Sequence, residues 1–142
     1  MRALLDVNVL IALLDADHSL HTPAITWFAQ HGQEGWASCP LTQNGCVRIM
    51  SHAAYANTTP VHAILERLGE ATREPQHEFW ADSISLLNPK IADPKRIHGP
   101  RQLTDIYLLA LAVQHSGRFV TFDQSVPLNA VYGATRDHLL AL

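Results

Sequence analysis

The sequence predicts an α/β fold with a mostly parallel central sheet flanked by helices in three layers. Two short apolar runs lead into acids, Ala3-Leu4-Leu5 into Asp6 and Arg118-Phe119-Val120-Thr121 into Asp123. Such runs read as strands of a parallel sheet, which is covered on both faces and therefore apolar throughout. Between them lie segments with helical spacing, of which Val61, Ile64, Leu65 and Leu68, and the long stretch Thr104 to His115, are the clearest. Strands alternating with helices argue for a parallel sheet built from crossover units.

Each element has its own signal. Ala3 to Leu5 is the first strand. Val9 to Leu14 is apolar again, and with Asn8 ahead of it as a cap it reads as a short helix. Thr22-Pro23 presents a cap followed by proline at the first helical position. The helix it opens has Ala24, Ile25, Trp27 and Phe28 on its apolar side and is ended by Gly32 and Gly35. Trp36 to Cys39 is a second strand, Thr42 to Met50 a third helix, Asn57 to Thr59 a polar turn and Pro60 to Ala71 a fourth helix. Phe79 to Leu87 is mixed and fits neither pattern. Asn88 to Arg101, with Pro89, Pro94 and Pro100, is an irregular loop. Thr104 to His115 is the strongest helix, closed by Gly117 as a cap. Arg118 to Thr121 is a strand, and Thr135 to Leu142 supplies a last strand or helix. No repeat, low-complexity tract or linker interrupts the chain, and its 142 residues fit one domain, 1–142, with one sizeable core.

Composition narrows the function. Hydrophobic residues make up 47% and charged residues 16%, a globular and not a disordered balance. The net charge of −3 is not that of a chain that wraps nucleic acid nonspecifically, so binding to nucleic acid must use a local patch or a bound cation. Cys39 and Cys46 have no second pair with zinc-ligand spacing and read as small buried thiols. The nine histidines show no metal-binding pairing. Asp6, Asn8, Asp15 and Asp17 interrupt the apolar N-terminal stretch, so it is no signal peptide, and no run approaches the ~18–20 apolar residues of a membrane span. A soluble cytoplasmic protein is expected.

Chemistry concentrates in the acids. Asp6 and Asp123 follow the carboxyl ends of strands, where open α/β sheets bind their ligands. Asp105 opens the long helix, and helix N-termini share that face of the sheet. Singly, each acid has an ordinary explanation: a strand-end turn for Asp6, a first-turn acid complementing the helix dipole for Asp105, a turn former for Asp123. Gathered in one pocket they repel one another and stay ionised only beside a cation. Ligands that are all oxygen favour Mg²⁺ or Mn²⁺. Such an ion can polarise a phosphodiester, activate water and stabilise the leaving oxygen.

At this point the residues resemble a family. Leu5-Asp6-Val7-Asn8-Val9-Leu10-Ile11-Ala12-Leu13 is similar to the opening motif of PIN domains, and His18 and Trp27 fall where VapC-like chains often carry a His and a Trp. Leu103-Thr104-Asp105-Ile106-Tyr107-Leu108-Leu109-Ala110-Leu111-Ala112 is similar to the family's helix with its third acid, and Gly117 to Asp123 to its strand with the fourth. The resemblance spans nearly the whole chain. It implies a PIN fold and a Mg²⁺- or Mn²⁺-dependent endoribonuclease hydrolysing RNA phosphodiesters. Such proteins act as the toxin of a VapBC-like type II toxin–antitoxin pair, usually as a homodimer inhibited by a small antitoxin. Asp6, Asp105 and Asp123 would then be catalytic and metal-binding, with Asn8 and Thr104 orienting ligands or waters.

One position departs from the pattern. The family usually carries a Glu early in the helix after the second strand, where this chain reads Pro40-Leu41-Thr42-Gln43-Asn44-Gly45-Cys46-Val47-Arg48. Gln43 is the first counterpart and Asn44 the next. An amide oxygen can still ligate or bond a metal-bound water, with one negative charge fewer. A second reading follows, a weakened PIN-like module that binds or regulates RNA without cutting it. A third, a phosphotransfer domain with Asp6 as acceptor, lacks its general acid because the second acid is replaced by Asn8. Lys90, Lys95, Arg96 and Arg101, with His98, crowd the proline-rich loop leading to Asp105. That loop is expected to border the acidic pocket and to offer Lys95, Arg96 and Arg101 to RNA phosphates, with Arg48 as a further contact.

Overall fold

In the computed structural model, which describes residues 1–142, five strands form one sheet: β1 (Ala3–Leu5), β2 (Trp36–Ser38), β3 (His77–Phe79), β4 (Arg118–Thr121) and β5 (Leu139–Ala141). Their order is β3-β2-β1-β4-β5, and every neighbouring pair is parallel. Five helices connect them: α1 (Val7–Leu14), α2 (His21–His31), α3 (Pro40–Met50), α4 (Val61–Thr72) and α5 (Leu103–Gln114).

Strand alternation assigns the layers. Successive side chains of a strand point to opposite faces. Leu4, Ala37 and Phe119 join α5 residues Ile106, Leu108, Leu109 and Leu111 in one buried cluster. Ala3, Leu5, Trp36 and Val120 join Val9, Leu10 and Ile11 of α1, Cys46 and Met50 of α3, and Ile64 and Leu68 of α4 in the other. The result is three layers: α1 to α4 cover one face, α5 with the loop residues Trp80, Ala130 and Val131 covers the other. Both faces being covered is why the central strands are apolar throughout. Cys39 and Cys46 are free, buried thiols in this core.

The chain leaves β1 toward β2 and β3 on one side and later returns to place β4 and β5 on the other. The order therefore reverses between β1 and β4. In open α/β sheets a crevice forms at that switch point, outside the carboxyl ends of the strands. Asp6 and Asp123 lie there by topology alone.

Several element boundaries differ from the sequence expectation. Asn8 is not the cap of α1; Asp6 is, its carboxylate accepting the Val7 N–H, so the helix starts two residues earlier. Thr22 and Pro23 lie inside the first turn of α2, which begins at His21. α3 begins at Pro40, not Thr42, with Cys39 and Thr42 forming a reciprocal capping box. β3 had no clear signal, because it is an exposed edge strand of three residues. The loop after Asn88 holds short 3₁₀ turns at Pro94–Arg96 and Pro100–Gln102. The tail resolves into a 3₁₀ turn and then β5.

Gly117 follows α5, but the left-handed position there is Ser116, at φ 53°. The N–H groups of Ser116 and Gly117 return to Val113 and Ala112, a Schellman closure. Glycine is needed at 117 for space: a Cβ would stand 2.7 Å from both the Arg2 carbonyl oxygen and the Trp80 ring.

Candidate active site

The cleft at the switch point has a volume of about 580 Å³ and is lined by Asp6, Asn8, Asn44, Arg48, Thr104, Asp105 and Asp123 among others. Four separate elements deliver these side chains. Asp6 sits between β1 and α1, Asp105 in the first turn of α5, and Asp123 two residues beyond β4. Asn44 and Arg48 are one helical turn apart on α3 and share a face.

α3 comes this close because of Gly45. A Cβ there would meet Val7 at 2.8 Å, so any larger residue would push α3 away from the start of α1. A glycine inside a helix costs roughly 1 kcal/mol relative to alanine. Here it allows the close approach that sets Asn44 and Arg48 over the acids.

The three acids stand in different environments. Asp6 is buried, at 6% exposure. Its Oδ1 accepts the Val7 N–H and its Oδ2 accepts the Thr121 hydroxyl, both at 2.7 Å. The Thr121 oxygen accepts in turn the Asp123 N–H at 3.1 Å, so this hydroxyl links two of the acids. Burial raises the pKa of Asp6, its two hydrogen bonds oppose that, and the charge of Asp123 adds to it. Asp123 is exposed, and its Oδ1 accepts both the hydroxyl and the N–H of Ser125, which hold its pKa below the usual value.

Asp105 takes the consequence of this crowding. Burial, then the charge of Asp6, then contact with Asp123 push its pKa up to about 7. Of this neighbouring pair, Asp105 has the raised pKa and the more exposed Asp123 the lowered one. Crowding in the cleft therefore disfavours the ionised form of Asp105.

The site is not a closed cage. No three His, Cys, Asp or Glu side chains converge tightly enough to enclose an ion unaided. Asp6, Asp105 and Asp123 instead line one open cleft.

Residues 3–132 match the family described as the PIN domain. The chain belongs to the PIN domain family. Over its whole length it is 54% identical to ribonuclease VapC44 of Mycobacterium tuberculosis, covering all of that protein. It is 42% identical over 135 residues to ribonuclease VapC39 of the same organism, covering 94% of this chain and 96% of the relative. Among solved structures, VapBC2 from Rickettsia felis bound to a promoter DNA fragment superposes with a TM-score of 0.56. That match covers 89% of this chain and 94% of the other at 12% identity, so it speaks to the fold alone.

Within this PIN domain, Asp6, Asp105, Asp123, Asn8, Thr104, Asn44 and Arg48 share one cleft, and four other candidates stand elsewhere. Gln43 points away from the acids. Its amide donates to the Ser38 hydroxyl at 2.9 Å, which also contacts His77, and the residue lines a separate recess between α3 and α4. Asn44, not Gln43, occupies the place facing the carboxylates. The basic loop does not line the cleft as expected: Lys95 and Arg96 lie on the Pro94–Arg96 turn, where Arg96 pairs with Asp93 at 3.3 Å, and Arg101 is exposed on the turn before α5. Only Arg48 brings a cation into the cleft. The reading from sequence missed Thr121, Ser125 and Gly45. For Gly45 a signal existed, a glycine in the middle of an otherwise helical segment.

Proposed function

We propose that this protein is a Mg²⁺- or Mn²⁺-dependent endoribonuclease acting as the toxin of a VapBC-like toxin–antitoxin pair. The observation that carries this reading is that Asp6, Asp105 and Asp123 line one open cleft, where burial and the neighbouring carboxylates raise the pKa of Asp105. Three carboxylates share the cleft with a single cationic side chain, Arg48, and their donor atoms are all oxygen, which suits a hard divalent cation. Mg²⁺ keeps several waters and takes few carboxylates directly, so an open cleft suits it better than a closed cage.

Asp6, Asp105 and Asp123 would hold the ion, and the bound ion would supply a polarised phosphodiester, an activated water and charge for the leaving oxygen. The chain's own groups do the rest. Thr121 fixes Asp6 Oδ2, and Ser125 fixes Asp123 Oδ1, so two carboxylates are oriented before any ligand arrives. A cation held there would favour the ionised form of Asp105. Asn8, Thr104 and Asn44 offer neutral hydrogen-bonding groups at the cleft wall. Arg48 places a guanidinium where RNA phosphates would pass the acids. Lys95, Arg96 and Arg101 remain available to phosphates farther along the RNA. Kinship with VapC ribonucleases supports RNA as substrate, and a small antitoxin and a second copy of the chain are the partners proposed with it. No helix is long and apolar enough to cross a membrane, and a cytoplasmic location belongs to the proposal.

The weakened-nuclease reading draws on Asn44, which supplies an amide where a fourth carboxylate would add charge. Inducible expression in a bacterial host tests between the two. The toxin reading expects growth arrest with new RNA ends, both abolished by Asp6→Ala. Normal growth and intact RNA at equal protein levels would favour the inactive module.

A further inference from the structure

A second recess, of about 350 Å³, opens beside the catalytic cleft and shares Arg48 and Ile49 with it. Beyond those two residues its walls are His52, Ala54 and Tyr55. Asn44 and Arg48, one turn apart on α3, run from the acids toward the recess, and His52 joins its wall two residues past the end of the helix. Ile49 is 37% exposed, and Arg48 and His52 are exposed as well.

Both rings are held in place. The Tyr55 hydroxyl donates to the carboxylate of Asp15, the residue that caps the end of α1, and Asn57 donates to the other oxygen of that carboxylate at 2.9 Å. This clamps the segment after α3 onto α1. His52 accepts the Ala54 N–H on Nδ1 at 3.0 Å, which leaves Nε2 as the neutral ring's donor nitrogen. An apolar recess with two fixed rings and a guanidinium at its entrance therefore adjoins a phosphodiester-cleaving cleft.

We propose that this recess is a nucleobase subsite, holding a base of the RNA next to the scissile phosphate while Arg48 grips the phosphate between recess and cleft. The proposal rests on the nuclease reading and extends it to substrate binding. A base presents a flat π-face that stacks on aromatic rings whatever its identity, and its backbone brings the charge that Arg48 matches. Continuity with the acidic cleft favours RNA over a protein segment, because a nucleotide whose base enters the recess sets its phosphate beside Arg48, at the junction with the cleft. Base stacking before cleavage would also select unpaired nucleotides, since a base in a duplex cannot enter.

The test compares two fluorescein-labelled probes by anisotropy with the full-length protein in Ca²⁺ buffer: a single-stranded RNA hexamer, and a hexamer of abasic residues with the same phosphates. Wild type should bind the RNA about tenfold more tightly than the abasic chain. His52→Ala with Ile49→Ser should bring that ratio close to one, while His52→Phe, which keeps a ring, should preserve it. Both substituted side chains are exposed, so the fold should stand, and circular dichroism checks it. Equal affinity for the two probes, no binding of the RNA hexamer, or a ratio unchanged in the double variant would overturn the proposal and leave the recess to a protein partner. A preserved tenfold ratio in a protein that cuts no RNA would instead retain the subsite and refute the nuclease.

Discussion

Asp105→Asn should make the metal-free protein more stable while abolishing its activity. In the folded protein Asp105 keeps its proton up to about pH 7, against 3.8 as the ordinary value. The full shift corresponds to about 4 kcal/mol of disfavoured ionisation. The carboxyl is only half-buried, so water screens it, and roughly 1–2 kcal/mol is the part to expect in stability. The sign follows from proton counting. Below about pH 4 both folded and unfolded chains carry the proton, and Asp105 costs nothing. As pH rises toward 7 the unfolded chain releases its proton first, so folding stability falls, and above 7 the whole penalty is present. Asparagine removes the charge and keeps the side chain's shape. Thermal unfolding followed by circular dichroism in EDTA should therefore show the variant melting about 3–8 °C above wild type at pH 8. At pH 4 the two should coincide. Mg²⁺ should raise the melting temperature of wild type at pH 8, and of the variant much less. An unchanged or lowered melting temperature at pH 8, or an equal rise at both pH values, would refute the claim that the acids of the cleft repel one another without a cation.

Three further substitutions probe the supporting structure. Asn44→Glu should tighten Mn²⁺ binding about tenfold by isothermal titration, a gain of about 1.4 kcal/mol, while Gln43→Glu should leave it unchanged because that side chain bonds Ser38. Thr121→Val conserves shape but strips Asp6 Oδ2 of its donor, and should lower cleavage about 10–100-fold and stability by about 1–3 kcal/mol in denaturant titrations. Gly45→Ala forces a methyl group against Val7, and should cost about 1–3 kcal/mol by the same titrations and weaken RNA cleavage by displacing Arg48.

The three-layer fold and the site's acids were legible in the sequence because each rests on a pattern that tertiary context does not disturb. β1 and β4 are apolar because both their faces are buried, and the acids after them fall at the switch point by topology. α5 is apolar almost all round because it covers one face of the sheet nearly alone. β3 was not legible, since an exposed three-residue edge strand takes its identity from pairing with β2 and not from its own side chains. Gln43 and Asn44 could not be ranked without knowing how α3 is seated: neighbouring helical residues point about 100° apart, and only one of the two faces the acids. The position of Arg48 over the cleft and the distance of Lys95 and Arg96 from it likewise depend on packing. Thr121 carried no signal, because its partner Asp6 follows the neighbouring strand β1, 115 residues away in the sequence.

The most direct test of the account is cleavage of total cellular RNA by purified protein freed of any antitoxin, in Mg²⁺, in Mn²⁺ and in EDTA, beside Asp6→Ala, Asp105→Asn and Asp123→Asn. The account predicts discrete cuts by wild type in either metal, none in EDTA and none by the three variants. Folded wild type that leaves RNA intact in both metals, or cuts that persist in EDTA or in Asp6→Ala, would contradict it.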